Sequence, residues 1–214
     1  MTVFNDVLPS YQVPKCPLGW QTLAITEWQW QDLPSLPPFV LADGSSLAKQ
    51  QTQVRVCYSS KHLYVRFDCQ DDDIWGTYQK RDDPIYDEEA VEVFIAAGDE
   101  TPTRYLEFEV SPFGVLFNCV ITNPSLHSHE SYDVDETWNA EGLEWFARVH
   151  PEQQRWWAIL VIPWGAIGGC HESWRANFYR IERSQKSGTE FSCWSATLAE
   201  SFHVPARFGT LRLG

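Results

Sequence analysis

Residues 71–95 read DDDIWGTYQKRDDPIYDEEAVEVFI. Over residues 90–95 the pattern has a period of two: Val91, Val93 and Ile95 fall on one face, Glu92 and Phe94 on the other. Such alternation marks a strand with one buried face. The run leading into it mixes acids with Trp75, Tyr78 and Tyr86, so the start of the strand is expected to wall a polar, aromatic-edged site. A site of that kind suits a neutral polyhydroxylated ligand or a cation better than an anion.

The same alternation extends in both directions. Residues 54–58 (VRVCY) and 63–69 (LYVRFDC) flank the polar turn SSKH, a hairpin signal. Residues 105–110 (YLEFEV) and 115–121 (VLFNCVI) are joined by SPFG, a turn with Pro and Gly. Residues 145–150 (WFARVH) and 155–162 (RWWAILVI) form a further hairpin across PEQQ, and strands at 176–182, 191–194 and 210–213 complete the set. Only residues 163–168 (PWGAIG) suggest a helical turn, with Pro163 at its start. About ten short strands without alternating helices predict an all-β fold, a single antiparallel β-sandwich. Residues 1–20, with Pro9, Pro14 and Pro17, read as an N-terminal strap, and residues 21–214 as the sandwich domain.

Composition bounds the function. A chain of 214 residues with 43% hydrophobic residues can bury a real core in one domain. Eleven Trp are many for one domain, and some are expected on a surface. A formal net charge of −13 argues against nucleic acid and anionic membranes as partners. Asp6, Pro9 and Pro14 interrupt any candidate signal peptide, and no apolar run reaches membrane-spanning length. A soluble protein, cytoplasmic rather than secreted, is therefore expected. Six cysteines at 16, 57, 69, 119, 170 and 193 show no CxxC pair and no zinc spacing. They read as buried free thiols, with disulfides left open by the even count.

In order along residues 45–214 come LYVRF, DDDIW, IYDEEAVEVF, YLEFEVSPFG, WWAILVIPW, ANFYRIER and CWSATLAESFHVPARFGTLRL. This series resembles a carbohydrate-binding module of family 9, in its DOMON-like superfamily. The resemblance implies a non-catalytic module that sandwiches a mono- or oligosaccharide between two aromatic rings, with acidic and amide groups holding hydroxyls. The first family aromatic lies six residues before a strand glutamate, a spacing that falls on Tyr86 and Glu92. The second lies three residues before the proline of the closing motif, which falls on Phe202 before Pro205. Tyr and Phe stand where the best-known binders carry tryptophan, and Ala199 stands near a sugar-contacting amide of those relatives.

Around these, Trp75 and His203 are further candidates for ligand contact, and Glu92 is expected as an ionised acceptor of hydroxyl hydrogen bonds. Arg66, Arg104 and Arg180 lie in or near neighbouring strands, where one of them is expected to hold Glu92 or Glu107 in place; Arg104 and Arg180 count as ligand-site candidates. Trp194 reads as core. Asp71, Asp73, Asp83 and Asp87 offer hard oxygen ligands in one loop region, for which structural calcium is the expected metal. His127 and His129 read as exposed polar residues of a loop.

Three rivals stand beside sugar binding. The first is a glycosidase using a pair among Glu92, Glu107 and Glu109, which would need carboxyls about 5–5.5 or about 6.5–9.5 Å apart. The second is a haem domain with two His ligands; no haem is expected, because Met/His ligation would have only Met1 to draw on. The third is a sandwich that has lost its ligand.

Overall fold

Two sheets stack through their alternating faces. The structure is a computed structural model that describes residues 7–126 and 132–214. His127 and His129 lie outside the described residues. The strands are β1 (Ser10–Val13), β2 (Val40–Leu41), β3 (Thr52–Tyr58), β4 (His62–Gln70), β5 (Ala90–Ala97), β6 (Arg104–Val110) and β7 (Leu116–Thr122). They continue as β8 (Asp133–Asp135), β9 (Glu144–His150), β10 (Arg155–Pro163), β11 (Ser173–Ser184), β12 (Gly188–Cys193) and β13 (Gly209–Leu213). The larger sheet runs β1-β13-β11-β5-β6-β7-β8, with β12 pairing β11 and β2; the smaller runs β3-β4-β10-β9. Apart from the parallel β1–β13 pair, the strand pairs are antiparallel.

Every strand expected from alternation is present, and the turn after Pro163 is a short 3₁₀ helix, Trp164–Ile167. In the SPFG turn, Gly114 takes φ +81°, a conformation a side chain would resist. The strands that alternation did not reveal are β1, β2 and β8, each four residues or fewer. The segment read as a strap contributes β1, whose register with β13 runs from Ser10↔Thr210 to Val13↔Leu213.

The sandwich interior takes Val91, Val93 and Ile95 from β5, Phe108 and Val110 from β6, and Phe178 from β11. Against them pack Val56, Val65, Phe67, Leu160 and Ile162 of the smaller sheet, with Trp156, Trp174 and Trp194. Each such side chain removed from water is worth about 1.5–3 kcal/mol. A second apolar cluster lies on the far side of the larger sheet, around Phe94, Tyr105, Phe117, Tyr179 and Phe208. A third covers the outside of the smaller sheet, where Trp20, Trp28, Trp30 and Leu33 pack on Cys57, Tyr64 and Ile159.

These clusters correct the expectation of surface tryptophans. Seven Trp are buried, four are half-buried and none is exposed. Their abundance builds the core and the cover of the smaller sheet.

Candidate functional site

The second cluster is interrupted by acids. On the outer face of β5, Glu92 alternates with Ala90 and Phe94 and is almost wholly buried. Strand pairing sets Glu92 opposite Glu109 and Phe94 opposite Glu107, and Glu107 in turn faces Cys119 of β7. Three buried carboxyls thus share one sheet face. They border a cavity of about 290 Å³ whose walls include Tyr86, Phe117, Tyr132, Phe191, Phe202 and His203.

Each wall residue is placed by a local device. Tyr86 sits on the 3₁₀ turn Ile85–Asp87 just before β5, 38% exposed, with its ring edge-on to Phe117 at 5.4 Å between centroids. That turn is tied back by Glu88, whose carboxylate accepts from the Thr77 backbone N–H at 2.7 Å. Phe202 is buried and stacks on Tyr179 at 4.3 Å, so one of its faces is already used. His203 stacks on Tyr132 at 4.3 Å, and its Nδ1 lies 2.9 Å from the Tyr105 hydroxyl oxygen.

No Lys or Arg borders this cavity among the described residues, whereas Glu136 and Glu200 add two exposed acids at its rim. Burial, and then the neighbouring Glu107 carboxyl, push the Glu92 carboxyl well above the usual carboxylate range. Burial and the carboxyls of Glu92 and Glu107 do the same to Glu109. Both shifts run against the expectation of an ionised Glu92. Two like charges directly across a strand pair, with no cation between them, favour the protonated acid.

Tyr86, Glu92, Phe202 and His203 are brought together around one cavity; the other ligand candidates are not. Trp75 is half-buried, and its indole N–H donates to the Arg183 carbonyl at 2.9 Å. Arg104 is exposed at the start of β6, paired with Thr122 in register, and does not border the cavity. Arg66 belongs to the smaller sheet, where it binds Asp68 at 2.7 Å and lies over Trp157. Arg180 shares the interior face of β11 with Phe178 and Ala176, on the opposite side of the sheet from the cleft. None of the three arginines holds Glu92 or Glu107.

Arg180 instead anchors a second acidic centre at the edge of the interior. Its guanidinium binds Asp71 at 2.9 Å and also Glu182, all of them buried. Glu89 joins them: among the described residues, Asp71, Glu89 and Glu182 are the one group of three such acids with oxygens within 4.8 Å. Burial raises Glu89 to about 9 and Glu182 to about 7, with Arg180 opposing the rise in both.

The aspartates expected to share calcium are held apart by other donors. Asp73 accepts from the Gln185 backbone at 2.8 Å and pairs with Lys186 at 3.1 Å. Asp83 accepts from the backbone of Lys80 at 2.8 Å and Gln79 at 3.1 Å, and Asp87 is exposed. Only Asp71 belongs to a close acidic group, and there a guanidinium supplies the positive charge.

Sequence reasoning singled out Glu92, Glu107 and Glu109 as candidate acids but did not set Glu109 opposite Glu92. Tyr132 and Phe191 were missed. Tyr132 lies just before β8, outside any alternating run, and Phe191 stands in β12 opposite Ile181, so strand register and loop path bring them to the cleft.

A family model described as carbohydrate-binding family 9 matches residues 40–213. A curated protein of Arthroderma benhamiae, described as an extracellular protein, is 28% identical over 211 residues, covering 94% of this chain and 88% of its own. That description gives the expected cytoplasmic location no support. No helix among the described residues is long and apolar enough to cross a membrane. A crystal structure from Bacteroides uniformis, provisionally described as carbohydrate-binding, is similar with a TM-score of 0.72 at 18% identity, covering 97% of this chain and 100% of that one. A family 9 module of Caldicellulosiruptor kristjanssonii, in complex with cellotriose, gives a TM-score of 0.61 at 12% identity over 96% of this chain and 93% of its own. The same organism's module in complex with glucose gives 0.62 at 12% identity, over 96% of each chain. At these identities the structural likeness shows a shared fold.

Proposed function

The chain belongs to carbohydrate-binding family 9, and on that premise we propose that it holds a mono- or oligosaccharide, without turning it over, in the cleft of Tyr86, Glu92 and Phe202. The observation that carries this is convergence. Residues from the turn before β5, the middle of β5 and the loop before β13 border one cavity of about 290 Å³. That volume is at the lower end of ligand pockets, which run from about 300 to 1,000 Å³, and suits one sugar unit better than a long chain.

The chemistry matches the shape. A pyranose offers an apolar C–H face to a ring and a belt of hydroxyls to polar groups. Tyr86 presents the most exposed of the buried-edge rings, and Phe202 supports the opposite wall with the face that Tyr179 leaves free. The carboxyls of Glu92, Glu107 and Glu109 lie below them as hydrogen-bonding partners for hydroxyls. A glycosidase would need one carboxyl as acid and a second as ionised base or nucleophile. Here burial, and then the neighbouring acids, push both Glu92 and Glu109 in the same direction.

The structural neighbours' complexes make glucose and cellotriose the first probes. Titrating isotope-labelled protein with cellotriose should shift resonances of residues 84–92, 107–119 and 200–204. Shifts confined to the outer face of the smaller sheet, around Trp157 and Arg66, would move the site there.

A further inference from the structure

Resting on the carbohydrate reading of this cleft, we propose that its sugar carries a free, protonated amine: the ligand class is the unacetylated amino sugar rather than the neutral hexose.

Among the described residues, five carboxyl groups border the cavity, three of them buried, and no Lys or Arg borders it. Glu109 is 0% exposed, and among the described residues no N–H or hydroxyl donor reaches either of its carboxyl oxygens. Its polar neighbours are the carboxyls of Glu92 and Glu107. Glu107 Oε2 is also without a hydrogen bond, and the nearest imidazole nitrogen, His203 Nδ1, stands 4.0 Å away beside the Tyr105 hydroxyl. A buried acceptor without a donor is costly, and a cluster of them is costlier.

A neutral sugar can donate hydroxyl hydrogens to these oxygens but brings no positive charge against which the crowded acids could ionise. An ammonium group supplies three donors and a full positive charge at once. The walls suit it as well: the Arg183 guanidinium already lies over the Phe191 ring, and the exposed Tyr86 ring offers a further aromatic surface to a cation. A uronic acid or sulfated sugar meets five acids and is excluded. An acetylated amine has lost both the charge and two of its donors.

Three ligands that share one ring and differ at one substituent test this: glucose, glucosamine and N-acetylglucosamine, titrated calorimetrically into the full chain at pH 6. Glucosamine is expected to bind at least 10-fold more tightly than either of the others, and Glu109→Gln should reduce that preference. Glu107→Gln serves as a second variant should Glu109→Gln fold poorly. Glucose binding as tightly as glucosamine overturns the amine while leaving the sugar cleft standing. Absence of binding by all three and by cellotriose overturns both.

A separate observation concerns Cys16 and Cys57. Their sulfurs lie 2.7 Å apart and both residues are buried, closer than two unbonded thiols settle comfortably. The backbone holds them there: the Cys16 N–H donates to the Tyr58 carbonyl at 2.8 Å, and the Tyr58 N–H to the Pro14 carbonyl at 3.1 Å. We infer that this pair forms a disulfide joining the N-terminal segment to β3. Each thiol gives up a proton and an electron, one S–S bond forms, and an oxidised disulfide such as oxidised glutathione is reduced to its two thiols. The full chain, equilibrated with oxidised glutathione and then denatured and alkylated, should show four alkylated cysteines, and five in Cys16→Ser. Six in the wild type, or a bridge mapped to any other pair, overturns the inference.

Discussion

Glu92 and Glu109 stand directly opposite each other across the β5–β6 pair, both buried, with no lysine or arginine among the described residues paired to either. Like charges in that position repel, so the pair titrates as a unit and holds protons well above the usual carboxylate range.

Stability should therefore decline toward alkaline pH. Glu92 and Glu109 are raised, Glu89 is raised to about 9 and Glu182 to about 7. A group whose folded pKa exceeds its unfolded value stabilises fully below the unfolded pKa and loses that contribution as pH rises through the folded one. The thermal midpoint is expected to be higher at pH 5 than at pH 9, with part of the loss near pH 7. A midpoint that climbs from pH 5 to pH 9 contradicts the buried, protonated acids.

Arg180 bears on stability rather than binding. Removing it leaves Asp71 and Glu182 buried without their cation, a change that typically costs about 3–5 kcal/mol. Arg180→Met should lower the denaturant midpoint markedly, and any variant that stays folded should keep its sugar affinity. Because the guanidinium already occupies the acidic group, calcium and EDTA should leave the wild-type melting curve where it is. A calcium-dependent rise would place an ion among Asp71, Glu89 and Glu182.

Phe202 and Tyr86 should separate structure from recognition. Phe202 is buried and stacked on Tyr179, so Phe202→Ala is expected to cost about 3–5 kcal/mol of folding stability. Tyr86 is 38% exposed and meets Phe117 only edge-on, so Tyr86→Ala should leave the thermal midpoint within a few degrees of wild type. Equal destabilisation by the two would mean that Tyr86 is a packing residue.

The pure protein should not hydrolyse glycosides. With Glu92 and Glu109 both pushed toward the acid form, neither is set apart as an ionised nucleophile or base. Sustained release of sugar from cellotriose, abolished by Glu92→Gln, would make the module an enzyme.

The strands were legible because one face of each is buried, which writes a period of two into VRVCY, YLEFEV and RWWAILVI. Tyr86 and Glu92 were singled out through the resemblance, whose six-residue spacing is local to one turn and strand, and both border one cavity. Arg180 was misplaced because a charged residue in a strand is ordinarily read as outward. Its parity with Ala176, Phe178 and its partner Glu182 was in the sequence, but its other buried acidic partner, Asp71, comes from a distant segment. The apposition of Glu92 and Glu109, and the arrival of Tyr132 and Phe191 at the cleft, depend on register between strands and on loop paths. No single segment encodes those. The tryptophans misled for a related reason: composition counts them, but only packing shows that Trp20, Trp28 and Trp30 cover a sheet.

Calorimetric titration of cellotriose into the wild type and Tyr86→Ala, side by side at one pH, bears most directly on the sugar cleft. Saturable binding to the wild type, weakened by about 1–3 kcal/mol in the variant, or roughly 5- to 150-fold, is the predicted result. Binding of equal strength to both folded proteins would contradict it.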